Sequence, residues 1–257
     1  AAAALLEVGG KGSHAAIFAR EIGLPCVAGL PNLADTLSET ADAIVDADES
    51  QAIINPSAEQ KKAFRAQGTL REQKIARVRA HAHEPAVTVS GKQIAVLANV
   101  GDVEDTRIAV ENGADGVGLY RLEQAYLGRQ KPPGMKELLA EMQHTLQPAK
   151  GLPVYVRLLD VGADKPLPFV EMPRESNPAL GRRGIRFLWK HPELLQTQLD
   201  ALIRLALDHD LHILVPMVAL PRDMLAIRQA LREAATRAKI SGLPKIGARS
   251  ETAAAAR

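Results

Sequence analysis

The sequence predicts an α/β protein whose larger part is a parallel β-sheet. From residue 94 onward, apolar segments of strand length alternate with segments of helical length. The apolar segments are nearly continuous runs of Val, Ile, Leu and Ala rather than a strict alternation of apolar and polar residues. Continuous apolar strands separated by helices are typical of a parallel sheet that is buried on both faces.

Four and a half strand–helix units make up this part of the chain. The predicted strands cover residues 94–99, 116–120, 154–159, 212–218 and 245–248, and the predicted helices cover residues 103–112, 135–146, 193–208 and 222–239. Such a run fits either a doubly wound sheet or part of a (β/α)8 barrel. A whole barrel needs about 250 residues, so a barrel formed here is expected to be incomplete.

The first 54 residues predict a smaller α/β region. Its helix runs from Ser13 to Glu21 and is closed by Gly23, a residue type that commonly ends helices. Short strands are predicted at residues 5–8, 25–29, 43–45 and 51–54. Ser57 then caps a long polar helix over residues 58–83, whose charge and scarcity of apolar residues indicate a solvated linker.

Composition narrows the classes of partner. Hydrophobic residues make up 46% of the chain and the formal net charge is +2, so neither nucleic acid nor a membrane surface is expected as a partner. No apolar run reaches the roughly 18 residues that a membrane span needs. The one cysteine, Cys26, cannot form an internal disulfide and favours a reducing compartment, so a cytoplasmic location is expected.

A histidine, His14, follows a glycine-rich turn at the start of the first predicted helix. Glycines allow the backbone to approach a ligand closely, and the free N–H groups at a helix N-terminus favour an anion. A neutral imidazole placed there is a nucleophile that can carry a phosphoryl group. The local pattern also fits a histidine that only caps or packs the start of the helix.

The longer string Gly9–Gly29 resembles the swivelling phosphohistidine domain of phosphoenolpyruvate-utilising enzymes, which reads G-G-x-T-[SC]-H-[AST]-[AS]-I-x-A-R-x-x-x-I-P-A-V-x-G. The resemblance implies that His14 is the phosphorylated histidine. Gly12 stands where the family usually has threonine. Because that hydroxyl would hydrogen-bond the phosphate, less efficient transfer is expected here.

Polar residues also stand at the predicted carboxyl ends of the strands, where the chemistry of a parallel barrel gathers. They are Asn99, Arg121, Arg157, Asp160 and Glu251, and the apolar Met217 also stands at a strand end. Two arginines on neighbouring strands make a clamp for phosphate and carboxylate. A carboxylate such as Glu251 is a suitable Mg²⁺ ligand. The alternative is that each arginine closes a salt bridge at its strand end.

Several strings in this region resemble the barrel of enzyme I of the bacterial phosphotransferase system. They are Ala98–Gly101 (A-N-I-G in the family), Gly116–Glu123 (G-V-G-L-Y-R-T-E), Val156–Lys165 (V-R-T-x-D-I-G-G-D-K), Asn177–Arg186 (N-P-x-L-G-x-R-A-I-R), Val215–Val218 (F-P-M-I) and Ile246–Ala255 (I-G-x-M-V-E-T-P-A-A). The third of these strings favours enzyme I over its relatives pyruvate phosphate dikinase and phosphoenolpyruvate synthase, which remain the alternative within the superfamily.

The resemblance implies a set of site residues. The residues expected to bind phosphoenolpyruvate are Asn99, Arg121, Arg157, Arg183 and Arg186, of which Arg183 is also catalytic, and the first Mg²⁺ ligand is Glu251. The sequence departs from the family at four nearby positions. Leu122 and Leu158 replace threonines, and Arg249 and Ser250 replace apolar strand residues.

The resemblance also implies an organisation and a function. Residues 1–55 are expected to be the C-terminal part of the swivelling phosphohistidine domain, 56–90 the linker helix, and 91–257 the first half of a (β/α)8 TIM barrel. The implied reaction transfers a phosphoryl group from phosphoenolpyruvate to His14 and on to a histidine phosphocarrier protein. The family strings that carry a second Mg²⁺ ligand and a cysteine acid do not occur in this sequence.

This chain is therefore expected to perform the full reaction poorly or not at all. An inactive regulatory or interaction module remains the alternative from another functional class. An open half-barrel also exposes two sheet edges that invite pairing with another chain, so a homodimer is expected.

Overall fold

The computed structural model describes residues 2–10, 13–38, 41–162, 167–172 and 175–256. The chain divides into two compact units, Ala1–Ala80 and His81–Arg257. None of the described helices is both long enough and apolar enough to cross a membrane.

The described residues of the first unit form two small sheets and three helices. Its elements in chain order are β1 (Ala4–Leu6), α1 (His14–Glu21), β2 (Cys26–Ala28), α2 (Leu33–Thr36), β3 (Ala43–Asp46), β4 (Gln51–Ile54) and α3 (Ala58–Ala80). Strands β1 and β2 pair in parallel, and β3 and β4 pair in antiparallel fashion. No residue of α3 is buried, which confirms the exposed polar helix predicted for this segment.

The second unit contains a five-stranded sheet and its helices. Its elements are β5 (Leu97–Val100), α4 (Val103–Glu111), β6 (Gly116–Arg121), α5 (Met135–Leu146), β7 (Pro153–Arg157), α6 (Ile185–Leu188), α7 (Pro192–Leu205), β8 (Asp210–Val215), α8 (Pro221–Ala238) and β9 (Lys245–Ala248). All neighbouring strands are parallel, and their order in the sheet, β5-β6-β7-β8-β9, follows the chain.

This order argues against a doubly wound sheet, one of the two arrangements that the sequence leaves open. A doubly wound sheet reverses its strand order at a switch point, and the described sheet has no such reversal. Helices α4, α5, α7 and α8 contact one another in succession. Because successive right-handed crossovers place helices on the same face of a sheet, they form a single layer.

The helix layer covers one face of the sheet. Along β7 and β8, alternate residues such as Val154, Val156 and Ile213 are fully buried under the helices. On the other face Tyr155 and His212 are only partly buried, and their rings stack with centroids 4.2 Å apart. The prediction of a sheet buried on both faces is therefore wrong for the described residues, because the sequential strand order leaves one face without helices.

Candidate active site

The residues predicted for the site fall in both units. His14 is the first residue of α1 in the first unit, and the other predicted site residues lie in the second unit. Ser13 caps α1, since its Oγ accepts a hydrogen bond from the Ala16 backbone N–H at 3.3 Å. Gly12, where the family has threonine, lies outside the described residues, as do residues 163–166 of the string that distinguishes enzyme I.

Two arginines lie side by side at the carboxyl end of the sheet. Arg121 ends β6, Arg157 ends β7, and the two residues are register partners. Neighbouring strands lie about 4.8 Å apart, and register partners project to the same face of the sheet. Two like charges at this separation repel each other, so the pair is stabilised by anions nearby.

The first such anion is Glu123, which the sequence analysis did not single out. A 3₁₀ turn, Leu122–Ala125, follows β6 directly and buries this side chain to 6% exposure. Its Oε1 accepts hydrogen bonds from Arg157 Nη2 at 2.8 Å and from the Asp160 backbone N–H at 2.9 Å. A charged residue two positions after Arg121 in an otherwise apolar segment is the sequence signal that could have identified it.

The second anion, Asp160, links two of the predicted arginines. Its Oδ2 lies 3.3 Å from Arg157 Nη1, and its Oδ1 accepts a hydrogen bond from Arg183 Nε at 3.0 Å. The Asp160 side chain is 4% exposed. The sequence alternative of a salt bridge at each strand end therefore describes Arg157, and the shared Asp160 carboxylate also brings Arg183, from a loop, to the same place.

Arg121 is held differently from its neighbour Arg157. Among the described residues, Arg121 has no carboxylate within ion-pair distance, and its buried Nε atom has no hydrogen-bond partner. A Cβ at Gly101 would stand only 2.9 Å from Arg121 Nη2, so glycine there leaves room for the guanidinium. Arg121 is thus a cation without an ion-pair partner in the described part of the chain.

A tight loop brings Arg183 to the sheet. The Ile185 backbone N–H donates to the Pro216 carbonyl at 3.2 Å, which fixes the loop against the end of β8. Gly184 adopts a φ of 55°, and a Cβ there would meet Met217 Cγ at 3.0 Å. Met217 itself has a φ of 59°. Such a backbone costs a non-glycine residue of the order of 1–3 kcal/mol.

A buried glutamine supports the loop that carries Asp160. Gln198 of α7 is fully buried, accepts a hydrogen bond from the Leu159 backbone N–H at 2.9 Å and donates to the Leu194 carbonyl at 3.2 Å. Sequence reasoning missed this residue. Its signal is a polar amide within the apolar stripe of an amphipathic helix.

The predicted metal ligand Glu251 follows β9. Its Oε2 accepts a hydrogen bond from the Met217 backbone N–H at 2.9 Å, and its Oε1 lies 3.1 Å from Arg249 Nη2. The Arg249 backbone N–H donates to the Val215 carbonyl at 2.9 Å and so extends the pairing of β8 with β9. No cluster of three or more His, Cys, Asp or Glu suited to a metal ion occurs among the described residues.

Two other predicted residues, Arg186 and Asn99, do not belong to the arginine cluster, which consists of Arg121, Arg157, Arg183, Glu123 and Asp160. Arg186 Nη1 donates to the Leu180 carbonyl at 2.7 Å, so its guanidinium holds the loop before α6. Asn99 is exposed in β5 beside its register partner Leu119. In this structure Arg186 therefore stabilises the backbone, and Asn99 is open to solvent.

Charge and burial define what the cluster can do. The Glu123 and Asp160 carboxylates contact Arg157 and Arg183, whereas Arg121 has no ion-pair partner among the described residues. Burial raises the pKa of the adjoining Tyr120 to about 12, so its phenol adds no negative charge near neutral pH. A guanidinium such as that of Arg121, partly buried and without an ion pair in the described part of the chain, suits an anion such as a phosphate or a carboxylate.

The described part of the second unit thus combines a parallel α/β sheet with arginines at its carboxyl edge. Comparison with known families makes the assignment specific. The model of the PEP-utilising enzyme, PEP-binding domain, matches residues 75–256, and that of the PEP-utilising enzyme, mobile domain, matches residues 1–50. The chain belongs to the family of phosphoenolpyruvate (PEP)-utilising enzymes.

Individual relatives agree with this family. A phosphoenolpyruvate-protein phosphotransferase of Haloferax volcanii is 36% identical over 256 residues, covering 96% of this chain and 44% of the relative. One from Streptomyces coelicolor is 39% identical, covering 93% of this chain and 43% of the relative. A multiphosphoryl transfer protein of Rhodobacter capsulatus is 38% identical, covering 88% of this chain and 27% of the relative. The chain thus spans less than half the length of these relatives.

Proposed function

We propose that the chain takes part in phosphoryl transfer from phosphoenolpyruvate to His14, as in enzyme I of the sugar phosphotransferase system. The observation that carries the proposal is Arg121. It is a cation without an ion-pair partner among the described residues, and it stands beside Arg157, which the carboxylates of Glu123 and Asp160 hold in place. Family membership and the names of the relatives support phosphoenolpyruvate as the anion.

The arginines have a direct chemical role in this proposal. Arg121, Arg157 and Arg183 bind the phosphate and carboxylate of phosphoenolpyruvate, and an imidazole nitrogen of His14 attacks the phosphorus. The bond between phosphorus and the enol oxygen breaks, leaving the enolate of pyruvate and a phosphorylated histidine. Phosphoryl transfer depends mainly on positioning and on stabilising the charge of the equatorial oxygens, which guanidinium groups fixed before binding provide.

The proposed relation to enzyme I also implies a fold and a domain organisation for the chain. Residues 1–55 form the C-terminal part of a swivelling phosphohistidine domain, 56–90 a linker helix and 91–257 the first half of a TIM barrel. Two facts support the barrel: the strands follow one another in chain order, and the helices form a single layer. In enzyme I-like proteins the phosphoryl group passes on to a histidine phosphocarrier protein, which we propose as partner, together with homodimer formation through exposed sheet edges.

Magnesium fits this site through Glu251. Mg²⁺ is usually bound by one or two carboxylates, with waters and substrate phosphates completing its ligands. The Glu251 side chain is 23% exposed and supplies one such carboxylate. When bound, Mg²⁺ neutralises charge on the phosphoryl oxygens. The Arg249 guanidinium, 3.1 Å away, already neutralises the same carboxylate and competes for it.

Replacing Arg249 with methionine is expected to tighten Mg²⁺ binding severalfold, because the competing cation is removed while Glu251 stays. A partly exposed ion pair contributes about 0.2–1 kcal/mol, so the gain is expected to lie between about 1.4-fold and about fivefold. Titration of Mn²⁺ followed by its electron paramagnetic resonance signal measures the affinity without any reaction. The control is Arg237→Met, which removes the ion pair with Asp200. Equal Mn²⁺ affinities in all three proteins would contradict the role given to Arg249.

The proposed reaction is tested by intact mass after incubation with phosphoenolpyruvate and Mg²⁺. We expect one phosphoryl-sized gain in the wild type, the same gain in His81→Ala, and none in His14→Ala. His81 is a suitable control because it is solvent-exposed and forms a local (i, i+3) pair with Glu84. A gain that persists in His14→Ala would contradict the assignment of the phosphorylated residue.

A second candidate function is a binding module without catalysis. Leu122 and Leu158 favour it, since both stand where enzyme I has threonines and both are fully buried, so neither offers a hydroxyl to a ligand. Its signature is binding of phosphoenolpyruvate with no mass gain in the wild type.

A further inference from the structure

One carboxylate oxygen at the sheet end ties together two separate elements. Glu123 Oε1 accepts a hydrogen bond from the Arg157 guanidinium at 2.8 Å and another from the Asp160 backbone N–H at 2.9 Å. Arg157 ends β7, and Asp160 lies in the loop that follows it. We propose that Glu123 is a positioning residue that fixes Arg157 and this loop for anion binding, an inference that rests on the function proposed above.

The placement of Glu123 does not depend on Arg157. The 3₁₀ turn that carries Glu123 is anchored by Leu122, Ala125 and Tyr126, all of which are fully buried. The Tyr126 backbone N–H closes the turn onto the Glu123 carbonyl at 2.9 Å. Apolar packing therefore sets the position of the carboxylate, and the carboxylate in turn sets the position of the longer and more flexible arginine.

Arg157 keeps N–H donors that its contacts with Glu123 and Asp160 do not use. A guanidinium has five N–H donors; one at Nη2 donates to Glu123, and Nη1 lies 3.3 Å from Asp160 Oδ2 in an ion pair. The buried Nε atom of Arg157 has no hydrogen-bond partner among the described residues. Because the planar group is fixed at two of its corners, its remaining donors keep one orientation before a ligand arrives, and the ligand does not have to order the side chain.

The loop after β7 is fixed by the same oxygen and by a second residue. The backbone N–H of Asp160 is bound to Glu123, and that of Leu159 is bound to Gln198 Oε1 at 2.9 Å. Asp160 in turn accepts from Arg183 Nε at 3.0 Å. Glu123 therefore acts on Arg157 directly and on Arg183 through the Asp160 loop, which makes it the common support of two of the three arginines.

Two substitutions of Glu123 distinguish the positioning of Arg157 from the effect of the negative charge of Glu123. Glu123→Met keeps the length of the side chain but removes both acceptors, whereas Glu123→Gln keeps an amide oxygen for Arg157 and for the Asp160 N–H. Calorimetric titration of the full chain with phosphoenolpyruvate in Mg²⁺ is expected to show about a tenfold or greater rise in Kd for Glu123→Met. For Glu123→Gln we expect a change within about threefold, because the lost charge also lowers repulsion of the anion.

The titration distinguishes positioning from a merely structural role. A variant that only folds less completely binds with fewer sites and an unchanged Kd, whereas a misplaced Arg157 raises Kd with the number of sites unchanged. The proposal is overturned if Glu123→Met binds with the wild-type Kd.

A second measurement decides the proposal when no ligand binds at all. Failure of the wild type to bind phosphoenolpyruvate would count against the proposed function, and NMR of arginine side chains would still report on Glu123. The Arg157 Nε–H signal, assigned by its loss in Arg157→Lys, is expected to be sharp and slowly exchanging in the wild type and in Glu123→Gln, and to broaden or disappear in Glu123→Met. An unchanged signal in Glu123→Met would remove the basis for a positioning role.

Discussion

Replacing Arg121 with methionine is expected to weaken binding of phosphoenolpyruvate about 100-fold without lowering the stability of the protein. Two charge-assisted hydrogen bonds to the ligand are each worth about 1.5 kcal/mol or more, and about 3 kcal/mol corresponds to a factor of about 100. In the unbound chain Arg121 has no ion pair within the described residues, and its register partner Arg157 repels it. Methionine relieves this repulsion, so the free energy of unfolding is expected to stay the same or rise.

The control for this prediction is Arg107→Met in the same unit. Arg107 lies on α4, where it pairs with Glu104 and Glu111 on the exposed surface of the helix. The Arg107→Met substitution removes the same charge from the chain as Arg121→Met. It is expected to leave the affinity for phosphoenolpyruvate within about twofold of the wild-type value, because charges on the surface are screened. Equal losses of affinity in the two variants would show that overall charge, and not the Arg121 site, attracts the ligand.

Replacing Asp160 with asparagine is expected to lower the free energy of unfolding of the second unit by about 3 kcal/mol. The Asp160 carboxylate contacts Arg157 and Arg183 and is 4% exposed. Asparagine has the same shape but no charge, so both arginines lose their shared counter-ion inside the protein. Urea unfolding followed by the fluorescence of Trp189 measures the change, since the chain has one tryptophan and it lies in this unit.

The matched control is Asp200→Asn. Asp200 forms an ion pair with Arg237 at 2.8 Å, and the arginine side chain is 42% exposed. An ion pair open to solvent contributes less than about 1 kcal/mol. If the two asparagine variants lose the same free energy, Asp160 is not the buried support described above.

Elements with a regular apolar pattern could be predicted closely from the sequence. The helix predicted over residues 135–146 and the strand predicted over residues 245–248 have those bounds in the structure. The strand predicted over 212–218 forms over Asp210–Val215 instead. It ends early because Met217 adopts a positive φ that no strand accommodates, and nothing in the local residue types indicates such a conformation.

The site could be predicted only in part. Arg121 and Arg157 were identified from their places at the ends of neighbouring strands, and the structure makes them register partners. Their carboxylate partners were not assigned, because whether a strand-end arginine is paired depends on residues far away in the chain. Arg183 reaches Asp160 across 23 positions, and Gln198 reaches Leu159 across 39. Such contacts are set by the crossover connections and leave no trace in local periodicity.

The central claim is that the arginine cluster at the end of the sheet binds phosphoenolpyruvate. Calorimetric titration of the wild-type chain with phosphoenolpyruvate in the presence of Mg²⁺ tests it most directly, with inorganic sulfate as the comparison anion. We predict saturable binding at one site per chain, tighter than that of sulfate and about 100-fold weaker in Arg121→Met. Absence of saturable binding, or equal binding by wild type and Arg121→Met, would contradict the claim.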